Sequence, residues 1–412
     1  MRVLFTPYPW ASHYYQMVGL VWAFRAAGHE VRVAVPPSVV DAVTGSGIVA
    51  VTVGGRYDLM AGVAGLVKAR QELVDQPAGR DERGELRPEA RRELLRLRMV
   101  PHTRAAQDAA EDLVAVTRAW RPDIVVADPL VYAAPLAAAA AGAPLVRHLW
   151  GPDMCRHLVM PGSGVSARDD PRAAWPAELA ALYEKHGATP AADVAVRTLD
   201  NCPPGLQLPG VPNRIPMRFT AYNGTAVAPS WLSEPAGRPR ICVTWGSAAT
   251  AYLGPESFLV PRILDGLSGL DVDVVVAVRR ADAARIPAVP AGVRIVEGMP
   301  LELILPGCDA IVHQSGAGTT LTAALHGVPQ LTLPQVADQG LVSDRLARTG
   351  AGIVLAPDDT EPHAVEAAAG KLLGAGEHRA AALRLREEML TQPAPSAVVR
   401  TLEDLVATHR EG

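Results

Sequence analysis

The strongest constraint on the fold is a rhythm in which short apolar runs end in turn residues and give way to stretches with helical spacing. Residues 2–6 (RVLFT) form one such run, closed by Pro7 and Pro9, and read as a buried strand. Met17, Leu20, Val21 and Phe24 then fall at i, i+3, i+4 and i+7, which makes one apolar helix face. Gly28 stands where a helix C-cap belongs, and residues 29–35 alternate as a second strand. Strand, helix and strand in this order open a parallel sheet. The rhythm predicts further strands at 48–53, 124–127 and 145–148, with an Ala-rich helix at 133–141 between the last two. After a Pro-dense stretch at 203–239 it starts again, with strands at 240–244, 272–278, 293–296, 310–312, 330–333 and 353–355. The fold class is therefore α/β, two doubly wound domains in tandem. They are read as residues 1–210, a linker at 211–236, and residues 237–392. A C-terminal segment, 393–412, packs back onto the first domain after the Pro-containing break at 392–396. Residues 66–105, rich in Arg and Glu with Leu94, Leu95 and Leu97, read as amphipathic helix with a solvated face.

The 412 residues exceed what one core accommodates, in keeping with two domains. Hydrophobic residues make up 49% and charged ones 20%, the balance of a soluble globular protein. A net charge of −4 gives no support for a nucleic-acid partner, so any phosphate must be held by a local site. The most apolar stretch is broken by Asp128, Pro129, Pro135 and Gly142, which argues against a membrane helix, and no signal peptide is recognisable. Cys155, Cys202, Cys242 and Cys308 lack metal or redox spacing and read as reduced, mostly buried thiols. A cytoplasmic location is expected.

Ligands of doubly wound sheets bind beyond the carboxyl ends of the strands. The residues just after each strand therefore matter most. In 310–339, AIVHQSGAGTTLTAALHGVPQLTLPQVADQ, a strand runs into His313, then Ser315-Gly316-Ala317-Gly318-Thr319, then a helix that ends at Gly327. Small residues ahead of a helix N-terminus let backbone N–H groups approach an anion, and Ser315, Thr319 and His313 add side-chain donors. A Walker lysine is absent. A purely structural Gly-rich turn has the same local look.

HxSGxGT, then GVPQLxLP, then DQ, at this spacing, is similar to the donor-binding box of family 1 glycosyltransferases. The bacterial members that attach deoxysugars to polyketides look most alike. MRVLFTP, SH, AFRAAGHEVRVAVPP, RPDIVVADPL, HLWGPD, MRFTAYNGTAVAPSWL and RPRICVTWGS extend the resemblance over essentially the whole chain. It implies the two-domain GT-B fold with an interdomain cleft. It further implies that Ser247, His313, Ser315, Gly316, Gly318 and Thr319 meet the donor diphosphate and that Asp338 and Gln339 hold sugar hydroxyls. Met299 would present backbone groups to the base, and a thymidine diphosphate sugar would be the co-substrate, with no other cofactor. The family often shows His and Gly where this chain has Gln314 and Ser315, which bears on the fine geometry.

Inverting transfer needs a base near neutrality, and His is the expected choice. His13, at the start of the first helix, occupies the position of the family's base, in SH where many members carry GH. Asp128, just past the strand at 124–127, is the candidate to orient it, whereas Asp123 precedes that strand. Tyr8, Trp10, Tyr14, Tyr15 and Trp150 cluster near strand ends in a chain with only 5% aromatics. They suit either a flat apolar acceptor pocket or a packed domain interface. Asp271-Val272-Asp273 is formally a DxD pattern but sits at the start of a strand, so no metal site is expected. The expected partners are a small-molecule acceptor and a nucleotide sugar, without nucleic acid or membrane; a homodimer and a helper protein stay open. Three alternatives remain. A dinucleotide oxidoreductase is disfavoured because the first turn, TPYPWAS, lacks GxGxxG. A nucleotide-sugar epimerase or a non-catalytic nucleotide-sugar-binding relative would share the donor box.

Overall fold

The computed structural model describes residues 1–75, 85–234, 236–246, 250, 253–286 and 289–411. Among them the strands form two sheets, parallel throughout. The first holds β1 (Arg2–Thr6), β2 (Glu30–Val35), β3 (Ala50–Thr52), β4 (Ile124–Ala127), β5 (Leu145–His148), β6 (Arg197–Asp200) and β7 (Arg214–Pro216). Their order is β3-β2-β1-β4-β5-β6-β7. The second holds β8 (Arg240–Thr244), β9 (Asp273–Val278), β10 (Val293–Glu297), β11 (Ala310–His313), β12 (Gln330–Thr332) and β13 (Gly352–Val354), in the order β10-β9-β8-β11-β12-β13. In each sheet the order reverses beside the first strand, and the crevice at such a switch point is where doubly wound sheets bind ligands.

Parallel strands need helical crossovers, which cover both faces and account for the unbroken apolar runs of β1, β4 and β9. The helix Ala11–Ala26 shows how. Met17, Leu20, Val21 and Phe24 are buried against the first sheet, with the Phe24 ring 6.0 Å from that of Phe5, while Trp22 faces outward. Truncating Phe24 to Ala would cost about 3–5 kcal/mol by cavity formation. The helix Pro395–Glu411 covers the same core with Val398, Val399, Leu402 and Val406, after the preceding helix Glu377–Thr391 stops short of Pro393.

Two parts differ from the sequence expectation. β7 lies inside 211–236, the stretch assigned to the linker, so the first sheet runs on to Pro216; a short edge strand ending in Pro carries little strand signal. Within 66–105 the described residues other than 85–87 belong to two helices, Leu59–Asp75 and Pro88–Trp120, the second running through Pro101. Among the described residues no helix is long and apolar enough to cross a membrane. All four cysteines are buried and unpaired.

The lobes are tied together below the cleft. Arg345 donates to the carbonyls of Gly205, Leu206 and Gln207 at 2.8–3.2 Å. Leu206 and Phe219 pack against Leu321, Leu346 and Leu385.

Candidate active site

Because both sheets are parallel, their carboxyl ends converge on one interdomain cleft. It encloses a cavity of about 220 Å³ lined from the first domain by Trp10, His13, Tyr15, Gln16 and Trp150. The second domain contributes Gln314, Gly316–Thr319, Asp338 and Gln339.

On the first-domain wall, register decides what meets. Thr6 is the Cα partner of Ala127, so the residue after β4, Asp128, lies beside the turn that leads into the first helix. His13 in the first turn of that helix reaches it, with Nδ1 2.7 Å from Asp128 Oδ2, while Leu130 N–H donates to Oδ1 at 2.9 Å. Both side chains are buried. A carboxylate with one oxygen committed to a backbone amide and the other to Nδ1 fixes the imidazole tautomer that keeps Nε2 unprotonated. Since Nδ1 faces Asp128, Nε2 is the nitrogen left for the cavity that His13 lines. The rings of Tyr8, Trp10 and Trp150 stand 5.2, 5.6 and 4.8 Å from the imidazole.

Tyr14 is a correction. One residue further round the helix, it points into the core, fully buried, with its hydroxyl 2.5 Å from Ser46 Oγ; burial pushes its pKa up to about 12. It lines neither cavity, and the acceptor role expected of it is withdrawn. Tyr8 faces a second cavity, of about 430 Å³, behind the cleft. Its walls are mostly apolar: Pro36, Met60, Leu113, Leu130 and Val131, with Tyr57 and Tyr132. Asp108, on the helix Pro88–Trp120, holds the loop at this cavity's mouth by accepting from the amides of Gly55, Arg56 and Tyr57 and from the Arg56 guanidinium. The Tyr8 hydroxyl lies 3.2 Å from His102 Nδ1, and burial pushes the His102 pKa down to about 4, so this imidazole is neutral.

On the opposite wall, the turn after β11 is built around His313, and two expectations change. Ser315 N–H donates to Nδ1 at 3.0 Å, which puts the ring proton on Nε2, facing Gln330 Oε1 at 2.9 Å. Both nitrogens are thus used inside the protein. Burial pushes the pKa down to about 4, so His313, which also lines the cavity, is a neutral ring whose two nitrogens already shape the loop. Ser315 is fully buried, does not line the cavity, and has φ +66° with an unpartnered hydroxyl. That left-handed conformation is one glycine adopts without strain.

The donors that remain are the amides at the start of the helix Ala317–Leu325, beginning after the N-cap Gly316, and Thr319 at the cavity wall. Gln314 joins them and was missed in the sequence: it is buried, lines the cavity, and its Oε1 has no partner. A Cβ on Gly246, two residues past β8, would lie 2.6 Å from its Nε2, so glycine leaves the space this amide occupies. Asp338 and Gln339 open the helix Ala337–Thr349 at the rim. Gln339 Oε1 accepts from Gln335 N–H at 2.8 Å, leaving its NH₂ for the cleft. Desolvation by the cleft walls raises the Asp338 pKa, although its own amide, that of Gln339 and the facing His13 pull it down. Met299 follows β10, half-buried against the core and outside the 220 Å³ cavity. Ser247 lies outside the described residues. Asp271 and Asp273 pair with Arg238 at 3.1 and 2.7 Å, at the amino end of β9 and away from the cleft.

Known proteins share this architecture along the whole chain. Residues 22–246 match the family described as the erythromycin biosynthesis protein CIII-like N-terminal domain, and residues 261–405 match its C-terminal domain. The tylactone mycaminosyltransferase of Streptomyces fradiae is 36% identical over the full chain and 94% of its own length. The 10-deoxymethynolide desosaminyltransferase of Streptomyces venezuelae is 37% identical over the full chain and 98% of its length. Among solved structures, the spinosyn rhamnosyltransferase SpnG complexed with thymidine diphosphate superposes with a TM-score of 0.78 at 30% identity, covering 98% of this chain and all of that one. SpnG has also been solved with spinosyn aglycone, with a TM-score of 0.78 at 29% identity. Two parallel-sheet lobes, the cleft between their strand ends and these full-length matches lead to one assignment: the chain is a glycosyltransferase of the GT-B fold and belongs to the EryCIII-like family.

Proposed function

We propose that the protein transfers a deoxysugar from thymidine diphosphate to a hydroxyl of a hydrophobic, polyketide-type aglycone, with inversion at the anomeric carbon and without a metal. The observation that carries this reading is the His13–Asp128 pair facing a helix N-terminus across one cavity. A base and an anion cradle on opposite walls are what an in-line displacement of a nucleoside diphosphate requires. The relatives' acceptors and the thymidine diphosphate bound by SpnG support the substrate classes.

In this mechanism the second domain holds the donor. Amides of Ala317, Gly318 and Thr319 and the Gln314 NH₂ meet the diphosphate, with Ser247 beyond the described residues. Asp338 and Gln339 hold sugar hydroxyls, and the backbone at Met299 meets the base. The first domain places the aglycone against Tyr8, Trp10 and Trp150, with the 430 Å³ cavity, a usual size for a small-molecule site, receiving its apolar body. His13 Nε2 takes the acceptor O–H proton as that oxygen bonds to the anomeric carbon. The bond from that carbon to the diphosphate breaks on the opposite face, and its electron pair leaves with the diphosphate. Asp128 stabilises the imidazolium, and the helix amides meet the leaving charge.

Calorimetric titration with TDP, UDP and NADH, followed by transfer assays with His13→Ala, tests the reading. TDP binding with loss of transfer in the variant is expected. Binding of NADH alone, or of no nucleotide, overturns it. Release of free or epimerised sugar with no acceptor requirement would favour an epimerase.

A further inference from the structure

The first helix carries a second cleft-facing residue that neither the fold nor the proposed base explains. Gln16 lies one turn beyond His13, so helical spacing brings both side chains to the cleft side, and both line the 220 Å³ cavity. Gln16 is buried, at 6% exposure, and its Oε1 accepts from Asn201 Nδ2 at 3.3 Å. That bond turns Nε2 away from the first domain and across the cleft. There Nε2 stands so close to Gly318 that a Cβ at this position would lie 2.7 Å from it. Among the described residues no hydrogen bond from Nε2 is formed.

Gly318 is the second residue of the helix Ala317–Leu325, whose first amides have no acceptor within the helix. A two-proton donor from one domain therefore faces the first N–H groups of a helix of the other across the cleft. Donors brought together in this way are reconciled by an anion that accepts from both. Gln314, buried beside the same turn and lining the same cavity, adds an amide NH₂ to the donors available to a phosphate.

We infer that Gln16 is a diphosphate ligand supplied by the acceptor domain. Its Nε2 donates to a phosphate oxygen already held by the amides of Ala317–Thr319, and the lobes close on the bound diphosphate through this contact. The inference rests on the reading of that turn as the phosphate site. Asn201 is a positioning residue that acts through Gln16 by fixing the rotation of its amide. Because Gln16 and His13 share one turn of one helix, the contact that senses the diphosphate also sets the distance of the base from the sugar.

The test is calorimetric titration of the full chain with TDP and with thymidine, for the wild type, Gln16→Ala, Gln16→Glu and Asn201→Ala. Hydrogen exchange is followed in the helix Ala11–Ala26. A hydrogen bond to a charged partner corresponds to a loss of about tenfold or more in TDP affinity for Gln16→Ala. Gln16→Glu, which keeps the size and the acceptor for Asn201 but sets a carboxylate against phosphate, should lose more. Asn201→Ala should fall between Gln16→Ala and the wild type. Thymidine affinity should be equal in all four proteins, and TDP should slow exchange in the helix only where Gln16 is present. If the wild type binds TDP and both Gln16 variants bind it within about twofold, the inference is overturned while the proposed function stands. If the wild type binds no TDP, the phosphate reading beneath it is what has failed.

Discussion

Replacing Asp128 by Asn changes few atoms and tests what orders the proton on His13. In the wild type Oδ1 accepts from Leu130 N–H at 2.9 Å and Oδ2 from His13 Nδ1 at 2.7 Å. In the variant the amide oxygen stays with Leu130, so the NH₂ faces His13 and Nδ1 becomes the acceptor. The ring proton then sits on Nε2, where the acceptor hydroxyl needs a lone pair. Flipping the amide restores the tautomer but leaves the Leu130 N–H unmet in a buried site, at about 1–3 kcal/mol. Loss of the charge that stabilises the imidazolium adds about 1–1.5 kcal/mol, the difference between charge-assisted and neutral bonds. Together these lower kcat by about 10²–10³-fold. Asp128 does not line the cleft cavity, so TDP affinity should hold. Steady-state TDP release with acceptor present, beside a TDP titration, separates the two. A variant that keeps kcat within about fivefold, less than about 1 kcal/mol, would refute the tautomer argument.

Three further outcomes follow from particular residues. Ser315→Gly should stabilise the unliganded protein by about 1 kcal/mol. Relief of about 1–2 kcal/mol of left-handed strain and of a buried orphan hydroxyl outweighs the extra freedom of the unfolded chain. Calorimetry should show a higher Tm, and an unchanged or lower one counts against the strain. Asp108→Ala should raise acceptor KM by about tenfold or more with TDP affinity unaltered, because the loop at the cavity mouth loses its anchor. Burial opposes ionisation of Asp108, yet the amides and the Arg56 guanidinium hold its pKa below the usual value. The stability it supplies is therefore present above the ordinary carboxylate range and lost as pH falls through the lowered value. Burial pushes His102, His148 and His313 down to about 4, so the unfolded chain binds more protons than the fold between about pH 4 and 6.5 and stability rises with pH there. The buried Asp200, whose pKa is raised by desolvation, acts oppositely at lower pH. Urea midpoints at about pH 5.5 and 7 make the comparison where imidazoles dominate; equal midpoints contradict it.

The elements legible in the sequence are those whose signal is local. β1, β4 and β8 are built on short, largely buried apolar runs and fall where their residues place them, as does β5 although Arg147 and His148 end its apolar pair. β6 and β7 were not read. Each is three or four residues long, β7 ends in Pro, and both owe their place to pairing with distant chain. That His13 and Asp128 would meet was legible, because Asp128 directly follows β4 and His13 opens the helix that follows the neighbouring β1. Side-chain direction was not: Tyr14 and Tyr15 are adjacent and aromatic, and only the helix phase relative to the sheet sends one to the core and the other to the cleft. His313 has the residue type of a phosphate donor, but its hydrogen bonds go to Ser315 and Gln330, a competition settled by tertiary geometry. Gln16 and Gln314 are neutral amides outside the quoted glycines and hydroxyls. The available clues were the i+3 spacing of Gln16 from His13 and the place of Gln314 next to the strand tip.

In the proposed mechanism His13 takes the acceptor proton while a nucleoside diphosphate leaves from the facing helix. The most direct measurement is product analysis after incubation of the wild type and His13→Ala with TDP-deoxysugars and polyketide acceptors, recording glycoside, its anomeric configuration and TDP. One TDP per glycoside, inverted configuration and a loss of at least about 10²-fold in the variant, with TDP affinity retained, are expected. Retained configuration, or a His13→Ala protein as active as the wild type, would contradict that mechanism.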